Sequence, residues 1–173
     1  IPQGCFRESN SLVEITLPES VTEIGMQAFC LCRSLQSVNN LGNISTIPDE
    51  CFSNSENLTS VTIPASVEII ETRAFAGCPK LTNIVIEEGN ANFTVNEGAI
   101  YSTDGETLVA YPSASGDITI DSSINTIGAT AFYGSRITSV TIPANITNIG
   151  WEAFGRCDYL ETVDIQANIE TIP

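Results

Sequence analysis

The sequence predicts a repeat solenoid, mainly β with short helical or 3₁₀ turns, carrying one inserted β-hairpin. Three observations predict it. Six of the seven phenylalanines (Phe6, Phe29, Phe52, Phe75, Phe132 and Phe154) form one column, with steps of 23, 23, 23, 57 and 22 residues. Leu12, Leu35, Leu58 and Leu81 repeat the 23-residue step, and Ile137 to Leu160 repeats it again. In three periods, apolar residues alternate and then stop at a proline, Pro18, Pro64 or Pro143. A fixed period of this length marks stacked supersecondary units that share one core. We therefore expect a single domain over residues 1–173, with about six full or partial repeats and an insertion at about 87–119.

One unit, Leu58 to Cys78, shows how each element arises. Leu58, Val61 and Ile63 follow the spacing L-x-x-V-x-I, the short-strand core of a leucine-rich repeat. Alternation turns Val61 and Ile63 inward. Pro64 has no N–H for a ladder and ends the strand. Val67 and Ile70 begin a second inward-facing stretch, expected as a second short strand. A turn follows, with Gly25, Gly128 and Gly150 in three units and Glu71 in this one. An Ala-Phe pair then plugs the core from the far side. Cys5 and Cys51 replace the alanine in two units, as a small buried side chain would.

The pattern L-x-x-V-T-I-P-x-S-V-x-x-I-G-x-x-A-F-x-x-C resembles the BspA-like, or treponemal-type, leucine-rich repeat of bacterial and protist surface proteins. Leu12 to Cys32, Leu58 to Cys78 and Ile137 to Cys157 carry the resemblance. Weaker copies run from Leu35 to Phe52 and from Leu160 onward. It implies a right-handed leucine-rich-repeat solenoid of parallel strands in a secreted or cell-surface protein, often adhesive.

Between Ile86 and Ile120 the register breaks. Two apolar stretches flank Asp104-Gly105, a favoured hairpin turn. The segment Gly98 to Pro112 is similar to one found in family members. Two readings stand open. The hairpin is a ligand-contacting protrusion presenting Tyr101 and Tyr111, or it is a structural elaboration whose tyrosines pack on the strands.

Composition narrows the function. With 21 acidic and 6 basic residues the net charge is −15, which disfavours phosphate backbones and so nucleic acid. The absence of histidine removes imidazole bases and ligands. No apolar run approaches the roughly 20 residues needed to span a bilayer, so membrane insertion is not expected. Neither a metal nor another cofactor is expected. Cys30-x-Cys32 lacks a second pair for zinc. The cysteines fall in repeat columns. Thiols two rungs apart lie about 10 Å from each other, too far to bridge. Free buried thiols are expected, except Cys30, which could face outward.

The candidate binding surface is the polar ladder on the strand face, Thr16, Asn39, Thr62, Thr141 and Asp164, with Tyr101 and Tyr111 of the insertion. The alternative is that exposed strands simply favour β-branched polar residues. All six cations lie near the marker phenylalanines, leaving the strand faces net negative. The chain starts and stops within a repeat, and no polar cap is visible. Self-association or further segments would then cover the end faces. Three readings follow. The first is a non-catalytic module binding a protein, matrix or glycan ligand in adhesion. The second is a structural spacer within a longer array. The third, more remote, is a carbohydrate-active enzyme, which would require a cleft with paired carboxylates.

Overall fold

The computed structural model describes residues 1–169. The first block contains β1 (Glu14–Leu17), β2 (Ser37–Leu41), β3 (Thr46–Ile47), β4 (Ser60–Ile63), β5 (Ile69–Ile70) and β6 (Asn83–Ile86). The insertion supplies β7 (Phe93–Asn96), β8 (Ala99–Ser102) and β9 (Thr107–Ala110). A second block follows with β10 (Ser115–Thr119), β11 (Thr126–Ile127), β12 (Arg136–Ile142), β13 (Asn148–Ile149) and β14 (Thr162–Ile165).

Strands from successive rungs pair in parallel, so the chain is a β-solenoid. β1, β4 and β12 end immediately before Pro18, Pro64 and Pro143, as the missing N–H requires. The second short strands are only two residues long. Their inward residues Ile47, Ile127 and Ile149 are buried. The marker phenylalanines stack at centroid distances of 5.3, 5.5 and 5.7 Å from Phe6 to Phe75, and at 5.1 Å from Phe132 to Phe154.

The expected helical or 3₁₀ turns are corrected. No helix occurs among the described residues. The Ala-Phe segment is a chain of tight turns in which alternate amides bond within the turn or to the next rung. Ala28 and Cys30 donate to Gly25 and Gln27, while Gln27, Phe29 and Leu31 donate to Asp49, Cys51 and Ser53. Spending every second N–H on the neighbouring rung leaves too few for a helical ladder. The residues two before and two after each phenylalanine have positive φ in all six rungs: Gly4, Gln27, Glu50, Arg73, Thr130 and Glu152, then Glu8, Leu31, Asn54, Gly77, Gly134 and Arg156. The glycine column has a different cause. A Cβ on Gly150 would lie 2.2 Å from the Ala129 nitrogen of the rung beneath, so the rungs touch there by backbone.

The protruding-hairpin reading is also corrected. β8 and β9 do form an antiparallel hairpin about Asp104-Gly105, and β7 adds a third strand. However, β9 also pairs in parallel with β11, so it fills the second-strand slot of a rung. Both hairpin faces are covered. Ile100, Val109 and Ala110 pack into a core shared with residues from Ile15 onward. Ala99, Tyr101, Leu108 and Tyr111 pack into the core of the second block. The insertion is a partition between two cores. It also splits the first sheet into β1-β2-β4-β6 and β10-β12-β14.

Candidate functional site

The predicted strand-face ladder is present but divided. Thr62 pairs with Val85 in the first sheet, and Thr141 pairs with both Thr119 and Asp164 in the other. Thr16 aligns with Asn40 rather than Asn39, because the β1–β2 register shifts there. Asn39 donates instead to Glu14. Asn39, Thr16 and Asp164 are exposed, and Thr62 and Thr141 are partly covered. Thr119 joins the ladder, and the sequence hid it because the insertion displaced its register.

Tyr101 and Tyr111 are half-buried. Burial pushes the Tyr101 phenol above its usual range, with Asp121 adding to the effect. Tyr111 takes the aromatic slot of the inserted rung. Its ring tilts onto Phe132 at 5.9 Å, and its amide donates to the Ala131 carbonyl at 2.7 Å. The structure therefore brings together neither tyrosine with the threonine ladder.

The cysteines are all free. Cys32, Cys78 and Cys157 alternate with Ser55 and Ser135 in the column three residues after the phenylalanine. Cys32, Ser55, Cys78 and Cys157 each donate to the phenylalanine carbonyl of the preceding rung, at 3.1, 3.2, 3.1 and 3.2 Å. Burial raises the Cys78 thiol to about 12 and pushes Cys51 well above its usual range. Two expectations are corrected. Cys30 is buried, because the stacked rungs of Arg7 and Ser53 enclose its turn. Cys5, in the first rung, is exposed.

A site that sequence reasoning missed lies on the turn edge. A ladder of side chains runs along it: Arg7 donates to Gln27 at 3.0 Å, Gln27 to Glu50 at 2.7 Å, and Arg73 to Glu50 at 3.3 Å and Glu152 at 2.6 Å. Gln27, Glu50, Arg73 and Glu152 share one left-handed column, which aims them along the edge. Arg73 spans the seam created by the insertion. Its guanidinium lies 4.7 Å from the Trp151 ring centroid and 5.3 Å from that of Tyr133. The Glu152 hydrogen bond is the main cause of its raised pKa. The signal available in sequence was a lone arginine in a Gly/Gln/Glu/Thr column, one rung-column away from the only tryptophan.

Two recesses adjoin Arg73. One, of about 210 Å³, lies behind it between the Ile70–Ala76 and Gly128–Tyr133 segments, floored by Val109 and Pro112. The other is a polar groove of about 470 Å³ lined by Glu50, Ser53, Asn54, Arg73, Tyr133, Glu152 and Arg156. The groove does hold two carboxylates. Both are committed to one guanidinium, so neither is placed as the free proton donor that glycoside hydrolysis needs.

The sequence matches the family described as "BspA type Leucine rich repeat region" in six copies, over residues 1–115 and 110–173. No curated protein matches it significantly. Among solved structures it is similar to the pneumococcal vaccine antigen PcpA, with 26% identity and a TM-score of 0.78 over 89% of this chain and 39% of that one. It is similar in fold to a leucine-rich repeat protein from Eubacterium ventriosum, with 20% identity and a TM-score of 0.66 over 99% and 59% of the two chains. It is also similar in fold to a leucine rich cell surface protein from Faecalibacterium prausnitzii, with 22% identity and a TM-score of 0.61 over 99% and 59%. The chain thus spans about two fifths of the first and three fifths of the others.

Proposed function

We propose that this chain, which belongs to the BspA-type leucine-rich repeat family, is a non-catalytic binding module of a bacterial secreted or cell-surface protein. Its ligand is a protein, a matrix component or a glycan. One observation carries the reading: rungs locked together by backbone and side-chain ladders present two rigid, polar, repetitive surfaces, the strand face and the turn edge. Rigid repeated surfaces suit recognition, since little ordering entropy is lost on contact. The surface location is supported by the descriptions of PcpA as a vaccine antigen and of the Faecalibacterium protein as a cell surface protein.

The test immobilises the purified chain and measures its adhesion to human epithelial cells and to a panel of matrix proteins and mucin. Saturable adhesion that falls when Thr62 and Thr141 are both changed to glutamate places the contact on the strand face. If the chain adheres to none of these surfaces, the spacer reading replaces this one.

A further inference from the structure

We infer that the turn-edge groove at Arg73 is a binding site for a neutral sugar ring. The inference rests on the reading of this chain as a binding module and names a ligand class and a place for it.

Charge comes first. The chain carries a net charge of −15, so most of its surface repels anions. The groove is the exception: Glu50 and Glu152 face Arg73 and Arg156, and the formal charges cancel. A charged ligand gains nothing there from long-range attraction. An uncharged ligand able both to donate and to accept hydrogen bonds fits the lining. The carboxylates accept, the guanidiniums and the Asn54 amide donate, and the Ser53 hydroxyl does either. Vicinal sugar hydroxyls have this dual character.

The apolar side of a sugar ring needs an aromatic wall. Tyr133 lines the groove. Trp151, the chain's one tryptophan, stands beside that lining rather than in it, packs against the same guanidinium and is 45% exposed. Such rings present large amphipathic contact area at small entropic cost. At about 470 Å³ the groove falls within the usual range of small-ligand sites, roughly 300–1,000 Å³.

Preorganisation is the last element. Arg73 is clamped by two carboxylates and two rings, so its donors are fixed before any ligand arrives. The site exists because the insertion interrupts the turn edge. Phe6, Phe29, Phe52 and Phe132 donate their amides to the next rung, but Tyr111 has taken the Ala131 carbonyl that Phe75 would use. The Phe75 turn therefore meets the Thr130 turn by a single backbone bond, from the Gly77 amide to the Tyr133 carbonyl at 3.3 Å, and otherwise through side chains: the Arg73 amide donates to the Thr130 hydroxyl at 3.0 Å. Side-chain joinery opens space that backbone pairing closes elsewhere.

The experiment follows Trp151 fluorescence and amide NMR shifts while the whole chain is titrated with lactose, chitotriose and maltotriose, and separately with 3′-sialyllactose. At least one neutral oligosaccharide is expected to give a saturable change centred on Tyr133, Trp151 and Asn54. Asn54→Gly, which suits the positive φ of 57° at that position, should weaken it by about tenfold, and Tyr133→Ala by at least as much. Sialyllactose should bind more weakly than lactose. The proposal is overturned if no neutral sugar gives a saturable response at high millimolar concentration. It is equally overturned if the response survives in both variants. Adhesion to cells or matrix with no sugar response would leave the binding-module reading standing while removing this site.

Discussion

Each marker phenylalanine is flanked, two residues away on either side, by backbone in the left-handed region. Only three of the twelve positions are glycine. A non-glycine residue pays about 1–2 kcal/mol there. The inter-rung hydrogen bonds over-determine the conformation and hold it. Glu8 is exposed, with φ 60°. Glu8→Gly should therefore raise stability by about 0.5–1 kcal/mol in urea unfolding, against the usual expectation for glycine. Gly77→Ala should lower it by about 1–2 kcal/mol, because its φ is 65° and a Cβ would sit 2.7 Å from the Asn54 amide oxygen. None of this was legible in the sequence. The two columns hold glycine, glutamine, glutamate, arginine, threonine, leucine and asparagine, and nothing in that mixture marks a shared backbone conformation.

The buried thiols carry a pH dependence with a definite sign. Cys78 ionises near 12 when folded, against 9.0 ordinarily, because burial penalises the thiolate. The folded pKa is raised, so its stabilising contribution is complete below pH 9. It is lost progressively as pH climbs toward 12, where the unfolded thiol ionises and the folded one does not. The loss from this group is on the order of 4 kcal/mol. Unfolding midpoints measured from pH 8 to 12 should fall steeply in the parent. They should fall less in Cys78→Ser, which keeps the bond to Phe52 that Ser55 makes to Phe29.

At the scale of elements, the sequence showed the strands well and the insertion's role poorly. Proline positions and alternating apolar residues place β1, β4 and β12 without ambiguity, since both signals are local. The Asp104-Gly105 turn is equally local and its place is right, but it is not the type I′ turn the dipeptide favours, since Gly105 has positive φ and Asp104 does not. What the hairpin does depends on the pairing of β9 with β11, a contact between residues about 19 apart in a stretch with no repeat partner to align against. Because the hairpin feeds both cores, deleting Gly98 to Pro112 should not yield a trimmed solenoid. Circular dichroism and exchange-protected amide counts should show the Ser115–Ile149 region unfolded. A folded deletion variant with native protection would refute the partition.

On the scale of the whole molecule, the solenoid is two blocks joined at a seam. Its first sheet is interrupted there, and the joints on the turn edge are Arg73 to Glu152 and Thr130, and the Gly77 amide to Tyr133 at 3.3 Å. Repeat arrays unfold as one unit only while neighbour coupling is strong. Arg73→Ala should split a single calorimetric transition into two. Arg73→Lys should fail to restore it, since a point charge cannot engage two carboxylates and two rings at once. The 57-residue phenylalanine step already located this seam in the sequence, but not the arginine that fastens it.

The alternation of serine and cysteine along one column has a consequence for oxidation. Rings stack 5.5 and 5.7 Å apart from rung to rung, a separation at which neighbouring cysteines could close a disulfide. Ser55 stands between Cys32 and Cys78, and Ser135 precedes Cys157. Ser55 keeps the bond to the preceding carbonyl, Ser135 meets the Cys157 sulfur at 3.4 Å instead, and each denies its neighbour a second sulfur. In an oxidising medium this column therefore offers no sulfurs on adjacent rungs to bridge, and along it the rungs are tied by weak, reversible bonds.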